Sequence, residues 1–129
     1  MDGDKLEQIF ERQAAFDQQL TQTRPETRGF SREEWIQKET LAMMDELGEL
    51  INEVNYKWWK NPQPVDEQRV KEELVDVLHF LVSMCLKMDM DAQELCRRYL
   101  AKNQENFDRQ NGKSAKAGYD LSERADHQK

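Results

Sequence analysis

Four acidic side chains set the terms for this chain. Glu46 and Glu49 fall in the stretch DELGELINE, and Glu73 and Asp76 in EELVDVLHF. Each pair is spaced by three residues, which on a helix brings both carboxylates to one face, about 5–6 Å apart at Cβ. Leu47, Leu50, Ile51, Leu74, Val77 and Leu78 surround them, and a lone charge in apolar surroundings is costly. If the two helices pack antiparallel, four carboxylates meet with no basic residue among them, and they repel one another unless a cation lies between. Hard oxygen ligands select Mg2+, Mn2+ or Ca2+, and Mg2+ is commonly held by a few carboxylates together with phosphates. The competing reading is two solvated helix faces with chance spacing. One pair alone would be commonplace; two pairs, each inside an apolar run on neighbouring helices, point to a metal site. Asp45 and Glu72 read as flanking surface charges. Glu53, one turn past Glu49, reads as a group behind the ligands.

The elements that must hold these groups are helices. The chain has 129 residues, enough for one domain with a core. It is 37% hydrophobic and 35% charged, with a mean hydropathy of -1.01, but its apolar residues recur with a helical period. Only five Gly and three Pro interrupt it. The expected helices span 4–22, 31–59, 66–88 and 91–109. Ser31 with Glu34 forms a capping-box pattern, and Asp91 with Glu94 a second cap. The break at Asn61-Pro62-Gln63-Pro64 is short, which favours an antiparallel neighbour. The fold expected is an all-α antiparallel bundle of four to five helices. It occupies residues 1–119 and is followed by a polar, loosely ordered tail over 120–129. Long helices with apolar residues spread around them leave surface that one copy of so short a chain cannot cover, so a homodimer is expected.

Charge and composition exclude several classes. A net charge of -7 argues against a nucleic-acid backbone as partner, which needs a basic face. No apolar run approaches the roughly 20 residues of a membrane span. Cys85 and Cys96 lack C-x-x-C spacing and read as two buried free thiols. The expectation is a soluble cytoplasmic protein. There is no P-loop, no G-x-G-x-x-G and no Ser-His-Asp or Cys-His nucleophile set.

Two further groupings complete the picture. Lys57, Trp58, Trp59 and Lys60 follow the first acidic pair; Lys57 is placed to reach a phosphate, and Trp59 to wall a base pocket or to staple the helix end. Lys102, Asn106 and Arg109 recur at i, i+4 and i+7 and share one helix face. On an acidic protein such a stripe fits anion contact, or else a solvated helix end with favourable dipole charges. His79, three residues past Asp76, reads as a core or supporting residue rather than a ligand.

E-x-x-E followed after a loop by E-x-x-D resembles the all-α nucleotide pyrophosphatases, the superfamily of MazG-like proteins and dimeric dUTPases. The segments ELGELINEVNYKWWKN, EELVDVLHFLVSM and KNQENFDRQNGKSAKAGY resemble three ordered motifs of the dimeric dUTPase branch. Gln13 with Phe16 and Asp17 is similar to its N-terminal Q-x-x-L-N element, with Asp17 where some members carry Asn. The resemblance implies Mg2+-dependent cleavage of a deoxynucleoside triphosphate, typically dUTP, to the monophosphate and pyrophosphate, with Mn2+ as a substitute ion. It implies Glu46, Glu49, Glu73 and Asp76 as ligands, with Glu46 or Glu49 as the proton acceptor. It places Lys57, Lys102, Asn106, Arg109 and Tyr119 at phosphates, and Gln13 and Trp59 near the base or sugar. It also implies a homodimer. Two alternatives remain: the same chemistry on dCTP or another non-standard nucleotide, and a non-catalytic helical dimer that binds a cation.

Overall fold

A computed structural model describes residues 3–122, and the regular structure among them is all helical, with no strand. The all-α expectation is met. The helices are α1 (Lys5–Thr23), α2 (Arg32–Glu53), α3 (Glu67–Lys87) and α4 (Ala92–Gln110), with a 3-10 turn, Pro25–Gly29, between α1 and α2. No helix among the described residues is long and apolar enough to cross a membrane. The expected tail lies outside the described residues from position 123 onward.

Three helix starts are read directly from capping chemistry. The side chains of Asp4, Ser31 and Asp66 accept backbone N–H groups at the starts of α1, α2 and α3, answering donors that a helix cannot satisfy internally. The expected end of α2 near residue 59 is corrected: α2 stops at Glu53. Asn55 adopts a left-handed backbone, φ 57°, which Asn tolerates better than most residues. Its amide then brackets Gln63, donating to the Gln63 carbonyl and accepting from the Gln63 N–H, both at 2.8 Å. These two bonds outbid continuation of the helix, so residues 54–66 form a closed loop.

The chain forms two compact units, residues 1–91 and 92–129. In the first, α3 packs against both α1 and α2. Thr40 pairs with Met84, and Glu39 with Ser83, while Glu46 meets Glu73; rising numbers on α2 match falling ones on α3, so these two helices are antiparallel. The interior is small: Phe10, Val82 and Cys85 are its buried hydrophobic residues. Leu41, Met44, Leu74 and Val75 on α2 and α3 are all more than half exposed.

The second unit holds α4 and the segment after it. α4 closes in a Schellman turn: Lys113 N–H donates to Asp108 C=O at 2.8 Å and Gly112 N–H to Arg109 C=O at 3.4 Å. Gly112 sits at φ 73°, and a Cβ there would meet the Leu121 side chain at 2.9 Å, so only glycine fits. The expectation of two buried thiols is half right. Cys85 is buried, but Cys96 is exposed, as are Tyr99, Leu100 and Phe107 on the same helix, and α4 is the one long helix among the described residues of this unit.

Candidate metal centre and adjoining cleft

The antiparallel pairing of α2 and α3 sets Glu46 and Glu49 against Glu73. One carboxylate oxygen from each lies within 4.8 Å of the others. Glu73 is only 9% exposed, and one oxygen each of Glu46 and Glu73 is enclosed with no hydrogen-bond partner among the described residues. All three carboxyls ionise above the ordinary range. For Glu49 the main cause is the charge of Glu73, followed by burial. Glu73 is raised first by its hydrogen bond to Glu46, then by burial and the Glu46 charge. For Glu46 the hydrogen bond from Glu73 pulls downward, but burial and the charges of Glu49 and Asp76 outweigh it. Glu46 and Glu73 are hydrogen-bonded to each other, a contact that disfavours both being ionised at once. Hard oxygen donors in this number, two of them with enclosed unpaired atoms, fit Mg2+ or Mn2+. Asp76, exposed on α3, stands outside the close trio, yet its charge raises both Glu46 and Glu73.

Beside this cluster, α1 and α3 border an open cleft of about 750 Å3 lined by Ile9, Gln13, Phe16, Val75, Leu78 and His79, with Lys5, Gln8 and Arg12 also on its wall. Val75 and His79 flank Asp76 along α3. The Phe16 ring meets the His79 ring edge to face at 5.2 Å between centroids, so His79 supports an aromatic wall. Gln13, singled out from the sequence, is buried and lines this cleft.

Two turns along the α2–α3 seam lies a polar network that sequence reading passed over. Ser83 Oγ is 2.6 Å from Glu39 Oε1 and 2.9 Å from Asp17 Oδ2. Lys87 Nζ donates to Ser83 Oγ at 2.8 Å, to Glu39 at 3.2 Å and to Asp17 at 3.3 Å, and sits 4.3 Å from the centre of the Trp35 ring. Gln13 Nε2 donates to Asp17 Oδ1 at 3.0 Å. A signal was present: Ser83 interrupts the apolar run Leu81-Val82-Met84-Cys85, and a buried hydroxyl requires partners.

The loop after α2 carries the remaining predicted residues of the first unit. Lys57 and Lys60 line a second cleft of about 360 Å3 with Asn52, Glu53, Asn55 and Tyr56. Trp59 is 60% exposed and packs edge to face on Tyr56 and Trp58, and it is not among the residues lining the Gln13 cleft.

Lys102, Asn106, Arg109 and Tyr119 all fall in the second unit. There, Arg109 donates to Glu105 at 3.0 Å and lies 5.3 Å from the centre of the Tyr119 ring. Ser114 donates to the same Glu105 oxygen at 2.7 Å. The Ser114 and Arg109 hydrogen bonds hold the Glu105 carboxyl below its usual range. The structure brings Arg109 and Tyr119 together and sets Asn106 beside Arg109 at 3.5 Å; Lys102 stands exposed on α4.

Comparison with known proteins bears on this arrangement. The chain is 29% identical over 100 residues to the dCTP pyrophosphatase of Enterobacteria phage T4, covering 59% of this chain and 58% of that protein. It is 32% identical over 74 residues to the dCTP pyrophosphatase of Enterobacteria phage LZ5, covering 57% and 43%. It is 37% identical over 68 residues to YpjD of Bacillus subtilis, an uncharacterised protein, covering 48% and 61%. The chain spans about half the length of the curated relatives it matches. No solved structure matches it at a comparable level. The family model described as dUTPase matches residues 5–96, a stretch that contains both acidic pairs and Gln13, and the chain therefore belongs to the dUTPase family.

Proposed function

We propose that this chain hydrolyses a deoxynucleoside triphosphate to the monophosphate and pyrophosphate with Mg2+, or with Mn2+ in its place. The observation that carries the reading is the uncompensated trio of Glu46, Glu49 and Glu73 facing one another across α2 and α3. Family membership and the phage dCTP pyrophosphatase relatives support it. Glu46, Glu49 and Glu73, joined by Asp76, are the groups to hold the ion. When bound, Mg2+ would supply positive charge that neutralises the triphosphate and acidifies the attacking water. Glu49, the exposed member of the trio, accepts that water's proton. Gln13 and the Phe16–His79 wall receive the base, Trp59 serves the base or sugar, and Lys57 takes a phosphate. In the second unit, Lys102, Asn106, Arg109 and Tyr119 are assigned to phosphate contact, which suits guanidinium and ammonium donors. The exposed apolar residues of α2 and α3 are assigned to a second copy of the chain.

The test is pyrophosphate release from dUTP and dCTP with Mg2+, with and without chelator. Chelator should abolish release, and Asp76→Asn should lower it; an Asp76→Asn protein as active as the unaltered one would count against its place in the set. Tight cation binding with no turnover of any deoxynucleoside triphosphate would instead favour the non-catalytic reading.

A further inference from the structure

The base-selecting end of the cleft is governed by a residue that stands behind it. Asp17 is ion-paired with Lys87 and also accepts from Ser83, both at Oδ2, leaving Oδ1 for Gln13. An ionised carboxylate only accepts hydrogen bonds. The Gln13 amide must therefore turn its nitrogen toward Asp17, because the reverse orientation would set two oxygens against each other. The two ends of an amide are usually assigned from their partners, and here the partner admits one answer. The unengaged end of Gln13 is then its carbonyl oxygen, to which no described residue donates, on a side chain that lines the cleft.

A carbonyl oxygen in that position attracts a donor and repels an acceptor. At the 4-position of a pyrimidine, cytosine carries an amino group and uracil a carbonyl. We propose that Asp17 is a positioning residue for base selection: it fixes the Gln13 amide so that the cleft accepts an amino-bearing pyrimidine and disfavours its keto counterpart. The network beyond Asp17 serves the same end. Lys87 holds Asp17 in place, and Ser83 and Glu39 hold Lys87 there. With Asn at position 17, Lys87, which can only donate, would hold the side-chain oxygen, and the Asn amino group would face Gln13 and turn its amide over, so that N–H rather than C=O is left unengaged.

The inference rests on the nucleotide reading above, so its test separates the two. Binding of non-hydrolysable dCTP and dUTP analogues with Mg2+ is measured by calorimetry, and kcat and KM for both nucleotides by pyrophosphate release. The unaltered chain should favour the cytosine nucleotide by about tenfold, the worth of one net hydrogen bond. In Asp17→Asn that ratio should collapse to one or below, through KM rather than kcat. Gln13→Leu, which removes the acceptor while leaving Asp17 and its network intact, should collapse it too. A purely structural role for Asp17 predicts that both nucleotides weaken together with the ratio kept, and that result overturns the inference. So does an unaltered chain that prefers uracil. Turnover without base preference would leave the hydrolase reading standing and this one fallen; base preference in binding without turnover would do the reverse.

Discussion

Two clusters of carboxylates sit two turns apart on one helical seam, and they are stabilised in opposite ways. At Glu39 the acid is answered from within: Lys87 and Ser83 converge on it and on Asp17. At Glu46, Glu49 and Glu73 no basic group among the described residues is a partner, and mutual repulsion and burial push all three carboxyls upward. The helices are the same and the side chains differ by little. What separates them is one ammonium group. The chain supplies an internal cation at one level and omits it at the next, which is the contrast on which the proposed metal site rests. Even the compensated cluster is not saturated, since Glu39 Oε2 is enclosed without a donor, so α2 and α3 tolerate some unmet charge.

The sharpest way to break this contrast is to make the first cluster like the second. Lys87→Met leaves Asp17 and Glu39 facing each other without their cation, and should cost about 3–5 kcal/mol of folding stability, measured by urea denaturation. Added Mg2+ should not restore it; full rescue by Mg2+ would mean that the two clusters are equivalent.

Glu73→Gln moves the second cluster toward neutrality. It should lower turnover by about 10²–10³-fold while raising the melting temperature of the metal-free protein at neutral pH, because it removes a repelling charge. A variant that is inactive and also less stable without metal would contradict the picture of stored repulsion.

The pH dependence should differ between metal-free and metal-loaded protein. The three carboxyls ionise above their ordinary 4.5 in the folded chain, so the folded state holds protons that the unfolded state has already lost. Their contribution to stability is present below the unfolded value and is lost as pH rises through the raised folded values. Mg2+ at a hundred times its Kd should return about 2.7 kcal/mol, and only on the alkaline side of that window. Thermal melts in chelator and in Mg2+ across this range would show the two curves diverging as pH rises.

The smallest effect is expected from Ser83→Ala. It removes a fully buried hydroxyl that Lys87 and two carboxylates share, at a cost of about 1–3 kcal/mol. The Mg2+-dependent shift in melting temperature should be unchanged, since the carboxylate trio lies two turns away.

Much of this was legible in the residues. Three-residue spacing inside apolar runs singled out four carboxylates, three of which meet, and the Ser31 capping box placed the start of α2 to within a residue. The end of α2 was not legible. Val54 to Trp59 continues an amphipathic pattern, and what stops the helix is a pair of bonds from Asn55 to Gln63, a partner eight residues away that no local pattern announces. The Asp17 network was hidden for a related reason. Asp17, Glu39, Ser83 and Lys87 lie on three helices, and each looks ordinary alone. Ser83 within Leu81-Val82-Met84-Cys85 was the one residue out of keeping with its neighbours. Asp76 was read as an equal of the three glutamates, but its exposure sets it at the edge of them.

The closed loop beyond α2 has a consequence of its own. Because a single asparagine clasps the far side of the turn through both ends of its amide, the angle at which α2 hands the chain to α3 is decided at positions 55 and 63. The residues between them, including the two tryptophans and the lysines, are relieved of any duty in aiming the helices. That stretch can therefore be shaped by what Lys57 and Trp59 must reach, while the carboxylates on either side keep their register.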